Sequence, residues 1–527
     1  MSAGVVGRSR AGKAAIGIGV AVAIVAALEG LFRLVGIGAV PPGIDVERGS
    51  DGTMRVRIEA PASSVQGEAA FLADKPDDVF RIVFVGASTT KGVPYSHVSS
   101  YALFTVARIA WQLPALKLEY VNLGAPTESM RTTLHVARIA LEAEADLLVL
   151  EAGHNEFLEN SLAAHASPFS GLVRALDDVH VVRLLGRALR ADPDATVARR
   201  EGALGAPRDV PSQIGEDGLE FRTRVEDRFA VDVDTLLVEA RARGVPVCVV
   251  LPPADVSDFL PEAAFEPGVL RGDEAETNAV TVFRRASGAR ANGSVDAAAA
   301  LFQRARDLDP RPGGITPRLI ERLRESARNH GAIVADAYSA FVDASPDGLV
   351  GLPLLVDHCH PSLRGQYVMA GVVVAALRDA GMLAPREQWD VAKDPQFEAL
   401  LGALRIDPRY AACAEADAAM ADIAYALVSH DPSFYADRCA RRLERSLATL
   451  PSPAEGRVAL ALAYVLTGDE RGAPLLTATL RTDGSAAREF LQIMVDASPR
   501  VRRALERTKV ALDELGIRVP LLVPRRG

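Results

Sequence analysis

Short apolar, β-branched runs alternate along this chain with longer stretches whose apolar positions recur at helical spacing. The runs are Arg81–Val85 (RIVFV), Leu118–Asn122 (LEYVN), Asp146–Leu150 (DLLVL), Pro246–Leu251 (PVCVVL) and Ala332–Asp336 (AIVAD). Between them stand helical stretches at Ser99–Gln112, Thr132–Ala143, Arg222–Arg243 and Pro317–Asn329. Alternation of this kind predicts an α/β domain, residues 79–385, with a parallel sheet covered on both faces. Such sheets put their chemistry in the loops at the carboxyl ends of the strands.

The pattern changes at both ends. Residues 14–40 are mainly apolar, with Glu29 and Arg33 one turn apart, and stop at Pro41-Pro42. Arg8, Arg10 and Lys13 in the basic segment 1–13 precede this run. It reads as a transmembrane signal anchor that leaves the rest of the chain extracytoplasmic, on the periplasmic or cell-surface side; a cleaved signal peptide and a buried helix are the competing readings. Residues 41–78 read as a linker with one short strand, Met54–Ile58. Two helical insertions interrupt the α/β pattern near 157–220 and 254–312, the second carrying the helix Val295–Asp309. Residues 386–527 have almost no strand signal and read as an all-α, solenoid-like C-terminal domain.

Composition narrows the function. The 527 residues allow about three domains, and a hydrophobic share of 49% with 24% charged residues excludes wholesale disorder. A net charge of -9 opposes a surface built to neutralise phosphates, so nucleic acid is not an expected partner. Four cysteines are too few for a disulfide scaffold, although Cys413 and Cys439 could bridge two tail helices in an oxidising compartment.

The loops after the strands carry the candidate chemistry. Gly86-Ala87-Ser88-Thr89-Thr90-Lys91-Gly92 follows the first strand. It is not a P-loop, because Lys91 and Gly92 are reversed and Val93 replaces the hydroxyl residue. Nor is it the GxSxG elbow, since position 90 is Thr. Ser88 can instead be a nucleophile at a strand-to-helix turn. Gly124 follows the second strand, where a glycine leaves its N–H accessible. Asn155 follows the third and offers a neutral amide donor. Late in the chain, Asp357 lies three residues before His360, placed to orient an imidazole. Asp357, His358, Cys359, His360 and His154 have ligand chemistry, but their spacing fits no zinc motif, and neither metal nor cofactor is expected.

Ser88, Gly124, Asn155 and His360, in this order and spacing, resemble the SGNH hydrolases, or GDSL esterase/lipase superfamily, over about residues 80–385. The Gly-His-Asn-Glu form of the third block, Pro252-Pro253, the helical insertion and the helical tail resemble a membrane-anchored bacterial subgroup with tetratricopeptide-like additions. The resemblance implies a three-layer α/β/α, flavodoxin-like fold. It implies Ser88 as nucleophile, His360 as general base oriented by Asp357, and an oxyanion hole from the N–H groups of Ser88 and Gly124 with the Asn155 amide. The implied activity is a serine esterase acting on acyl or acetyl esters of an envelope glycan or lipid. An O-acetyltransferase with the same residues, and a non-catalytic envelope scaffold whose helical tail binds a protein partner, are the alternatives. Two positions depart from the family pattern: Ala87 and Glu156 stand where aspartates are usual, and Ala87 removes a brace from the nucleophile's turn.

Overall fold

In the computed structural model all five predicted runs are strands: β4 Phe80–Gly86, β5 Leu118–Asn122, β6 Leu147–Glu151, β7 Val247–Val250 and β8 Ile333–Ala335. The structure describes residues 44–507 apart from 59–66, 96, 127, 158–217, 262–277, 310–311, 353, 408, 430 and 451–452. The predicted anchor at 14–40, residues 158–217 of the first insertion and the end of the tail lie outside the described residues. Among the described residues no helix is long and apolar enough to cross a membrane.

The five strands form one sheet in the order β5-β4-β6-β7-β8, every adjacent pair parallel. Counting from β4, this is the 2-1-3-4-5 order of flavodoxin-like folds. Side chains alternate between faces with the period of a strand. Val83 and Val85 of β4, Leu148 and Leu150 of β6, and Val247 and Val249 of β7 enter one core with helices Met130–Glu142, Gly218–Ala242 and Pro317–His330. Ile82, Phe84, Leu147, Val149, Cys248 and Val250 enter the other, under helices Tyr101–Gln112 and Leu363–Asp379. Both faces are buried, which is why these strands read as continuous apolar runs. Helix boundaries follow local chemistry. Pro317–His330, for example, starts with the Thr316 side chain accepting from Leu319 N–H and ends at Gly331 with φ 69°.

Residues 41–78 are not the linker that the sequence suggests. They hold a three-stranded antiparallel sheet, β1 Ile44–Arg48, β2 Thr53–Ile58 and β3 Gly67–Leu72. Ile44, Met54, Val56, Ile58 and Phe71 bury into the same core as β4 and β6. Single apolar residues alternating with charged ones make each strand too short a signal alone, yet together they supply one apolar face. Fully buried Arg81 ties this sheet to the domain: its guanidinium donates to Leu72 O at 2.7 Å, to Ala143 O, and to Glu119 Oε2 at 2.7 Å.

Residues 254–312 contribute a helical hairpin, Ala279–Ala291 and Val295–Leu308. It packs on the C-terminal helices Arg409–Val428, Pro432–Ser446, Ala454–Thr467, Gly472–Thr482, Gly484–Ala497 and Pro499–Arg507 in one hydrophobic core. Phe283 lies edge-on to Phe302 at 5.0 Å and to Phe434 at 5.9 Å between ring centres. Insertion and tail are therefore joined although far apart in sequence. Cys413 and Cys439 are both free thiols, so no bridge joins their helices.

Candidate active site

The chain order places strand β4 between β5 and β6, so the loops after these three strands open at the switch point of the sheet. Ser88 is the first residue of the short helix Ser88–Lys91 that follows β4. The turn needs a glycine at two places. Gly92 closes the helix at φ 98°, with its N–H donating to the carbonyls of Ser88 and Thr89. A Cβ on Gly86 would meet the carbonyl O of Glu151 and Thr90 Oγ1, both at 2.3 Å.

Ser88, His360 and Asp357 meet in one hydrogen-bonded line. Ser88 O–H donates to His360 Nε2 at 2.7 Å, and His360 Nδ1–H donates to Asp357 Oδ2 at 2.6 Å. The other oxygen of Asp357 accepts from the backbone N–H groups of Cys359 at 3.0 Å and His360 at 2.8 Å, so the carboxylate is held from both sides. Burial favours the neutral form of Asp357, but His360, His358 and these N–H donors overcome it and hold the carboxyl well below its usual range. Burial likewise opposes charge on His360; Asp357 and Cys359 outweigh it and raise the imidazole well above the ordinary value. Such an imidazole is a strong base toward a serine hydroxyl.

Asn155 lies at the end of β6, where its amide nitrogen donates to Glu128 O at 3.0 Å. An amide nitrogen carries two hydrogens. Gly124 has a different setting from the one expected: its N–H donates to Asn122 Oδ1 at 2.9 Å. A Cβ there would lie 2.4 Å from Lys91 N, 2.8 Å from Thr90 C and 3.0 Å from Ala87 O. Gly124 thus lets the backbone of the turn that carries Ser88 settle against the end of β5.

Several supporting residues carry no signal of their role in the sequence. Asn122 donates to Thr90 O at 2.7 Å while accepting from Gly124, clamping the helix Ser88–Lys91 to β5. Thr90 donates to Glu151 Oε2 at 3.0 Å and lies 3.2 Å from Tyr101 Oη. Burial raises the Glu151 carboxyl to about 7, against the lowering effect of Thr90. These contacts brace the turn that carries Ala87 and Ser88. Glu156 accepts from Met130 N–H at 2.7 Å and so caps the helix Met130–Glu142 from across the loop. Glu151 alone has a local mark, as a charge ending an otherwise apolar strand.

His154 is buried beneath the site. Its Nδ1 accepts from Ile315 N–H at 3.2 Å, and Nε2 faces Glu151 Oε1 at 3.5 Å. Burial, reinforced by His358 and His360, holds its pKa well below the usual histidine value. Among the described residues, Asp357, Cys359 and His360 are the trio whose ligand atoms cluster, within 4.8 Å of one another. Both ring nitrogens of His360 already bond to Asp357 and Ser88, so a cation there would have to displace one of them.

No family model and no curated protein matches the chain. Among solved structures, it is similar to LAE5, an alpha/beta hydrolase enzyme from the metagenome of Lake Arreo, at 16% identity over 56% of this chain and 94% of that one, TM-score 0.29. It is similar to a G-D-S-L family protein from Desulfitobacterium hafniense DCB-2 at 11% identity, over 56% and 99% of the two chains, TM-score 0.28. Axe2, an acetylxylan esterase from Geobacillus stearothermophilus, matches at 11% identity over 56% and 94%, TM-score 0.29.

Proposed function

We propose that this chain is a serine esterase-type hydrolase of the SGNH kind. The hydrogen-bonded line from Asp357 through His360 to Ser88, at 2.6 and 2.7 Å, carries the reading. Ser88 Oγ attacks the carbonyl carbon of an ester while His360 Nε2 takes the hydroxyl proton. The N–H of Ser88, at the start of its helix, and the Asn155 amide meet the developing oxyanion. Gly124 N–H joins them only if Asn122 lets it go. The tetrahedral intermediate collapses, the C–O bond to the alcohol breaks, and His360 returns the proton to the leaving oxygen. Water, deprotonated by His360, then attacks the acyl-enzyme and releases the carboxylic acid with Ser88 restored.

The substrates that suit the anchor reading are acyl or acetyl esters of an envelope glycan or lipid. The basic segment before the apolar run at 14–40 supports an extracytoplasmic location. An alkaline phosphatase fusion after the run tests this: an inactive reporter would overturn it. For the chemistry, a fluorophosphonate probe should label Ser88, and Ser88→Ala and His360→Ala should each lower turnover of a p-nitrophenyl ester by about 1,000-fold or more. Equal turnover in all three proteins would refute the assignment.

A further inference from the structure

The C-terminal helices reach the loop that carries Asp357 and His360. Arg442, in helix Pro432–Ser446, is fully buried and donates through Nη2 to Val356 O. Its other nitrogens are fixed by acids of the preceding helix, Nε to Asp422 Oδ2 at 2.8 Å and Nη1 to Glu415 Oε2 at 2.9 Å. Val356 in turn donates its N–H to His360 O at 2.8 Å, and Leu355 bridges to Pro361. The loop is thus a closed turn with Asp357 and His360 inside it, and Arg442 is a buried donor from the tail to Val356, at its entry. A guanidinium held by three separate acceptors has little freedom to shift.

We infer that the C-terminal helical region completes the active site, with Arg442 as a positioning residue that holds the Val356–His360 loop in register with Ser88. The inference rests on the esterase reading for its catalytic consequence, though not for the contact itself. Arg442 touches neither Ser88 nor a substrate. It acts through the Val356 carbonyl, and a loop released there lets the Asp357–His360 pair drift from a hydroxyl that must stay within hydrogen-bond reach.

The test uses the full chain with Arg442→Lys, whose ammonium cannot serve the three acceptors as a fork, and Arg442→Met, which removes the charge altogether and leaves Asp422 with Arg438 alone. Arg441→Ala is the control, since Arg441 is exposed on the same helix and pairs with Asp437. Three readouts are taken: the rate of Ser88 labelling by fluorophosphonate, the acid limb of kcat/KM, and deuterium uptake of a peptide spanning residues 354–362. In Arg442→Lys with helix content intact by circular dichroism, labelling should slow about tenfold or more. The limb should move toward an ordinary imidazole value and uptake should rise, with the Arg441→Ala control matching wild type. A folded Arg442→Lys with wild-type labelling, limb and uptake overturns the inference and leaves the esterase reading intact. If Arg442→Met does not fold, the Lys variant decides. If wild type fails to label yet uptake rises in Arg442→Lys, the esterase reading falls and the positioning contact stands.

Discussion

Replacing Gly124 with alanine separates two roles for this residue, because alanine keeps the backbone N–H and adds only a methyl group. If Gly124 matters as a hydrogen-bond donor alone, Gly124→Ala is nearly silent. The structure argues otherwise. The new Cβ would sit 2.4 Å from Lys91 N, against an ordinary contact that begins at 3.4 Å, and the atoms it meets are backbone of the helix that begins at Ser88. Backbone cannot rotate away as a side chain can, so the helix must retreat by about 1 Å. Ser88 Oγ is 2.7 Å from His360 Nε2, and a shift of that size takes it beyond good hydrogen-bonding distance. A misplacement of about 1 Å costs on the order of 100-fold in rate, and overpacking costs about 1 to 3 kcal/mol in stability. The assay is kcat on a p-nitrophenyl ester beside urea unfolding of the same protein. A variant within about threefold of wild type in kcat, with an unchanged unfolding midpoint, would refute the packing argument.

Glu151 has a folded-state pKa of about 7 against 4.5 for a free carboxyl, so the folded chain binds more protons between these values and loses stability as pH rises through that window. Glu151→Gln should therefore be more stable than wild type at pH 8 by about 3 kcal/mol and show no such gain at pH 4, read by chemical unfolding; equal differences at both pH values would refute it. The limb of kcat/KM set by His360, which faces Asp357, His358 and Cys359 from its own loop and Glu151 and His154 from the end of β6, should lie above the ordinary histidine value, with activity lost as pH falls through it. Asp357→Asn should lower kcat by about 1,000- to 10,000-fold and move that limb downward, and a wild-type midpoint at or below the ordinary value would contradict the geometry. Arg81→Met leaves the Leu72 and Ala143 carbonyls and Glu119 without their buried donor, and should cost about 3 to 5 kcal/mol in equilibrium unfolding; a loss under about 1 kcal/mol would show that the small N-terminal sheet is not held by this side chain.

What can be read from the sequence is what depends on neighbours along the chain. The strands β4 to β8 are buried on both faces, and their apolar runs announce them. Ser88, Asp357 and His360 are legible because each stands at a loop with its chemistry exposed in the local pattern. What escapes depends on partners distant in sequence. Asn122 looks like an ordinary strand end until its amide is seen bridging Thr90 and Gly124. Gly124 reads as a donor because a glycine leaves its N–H accessible, whereas its lack of a Cβ is what the packing uses. Residues 41–78 look like a linker because each strand is short and half charged, and only pairing among the three reveals the apolar face. Arg442 carries no local signal at all, since its acceptor Val356 is 86 residues away.

The hairpin Ala279–Leu308 shares its core with helices that come much later, which has a consequence for the order in which the chain is made. Synthesis runs from the N-terminus, so Phe283 and Phe302 emerge long before Tyr435, Leu462 and Leu491 are available to cover them. The same delay applies to the loop of His360, whose contact with Arg442 waits for the helix Pro432–Ser446. A nascent chain would therefore hold Ser88 and His360 well before the helix that carries Arg442 is made.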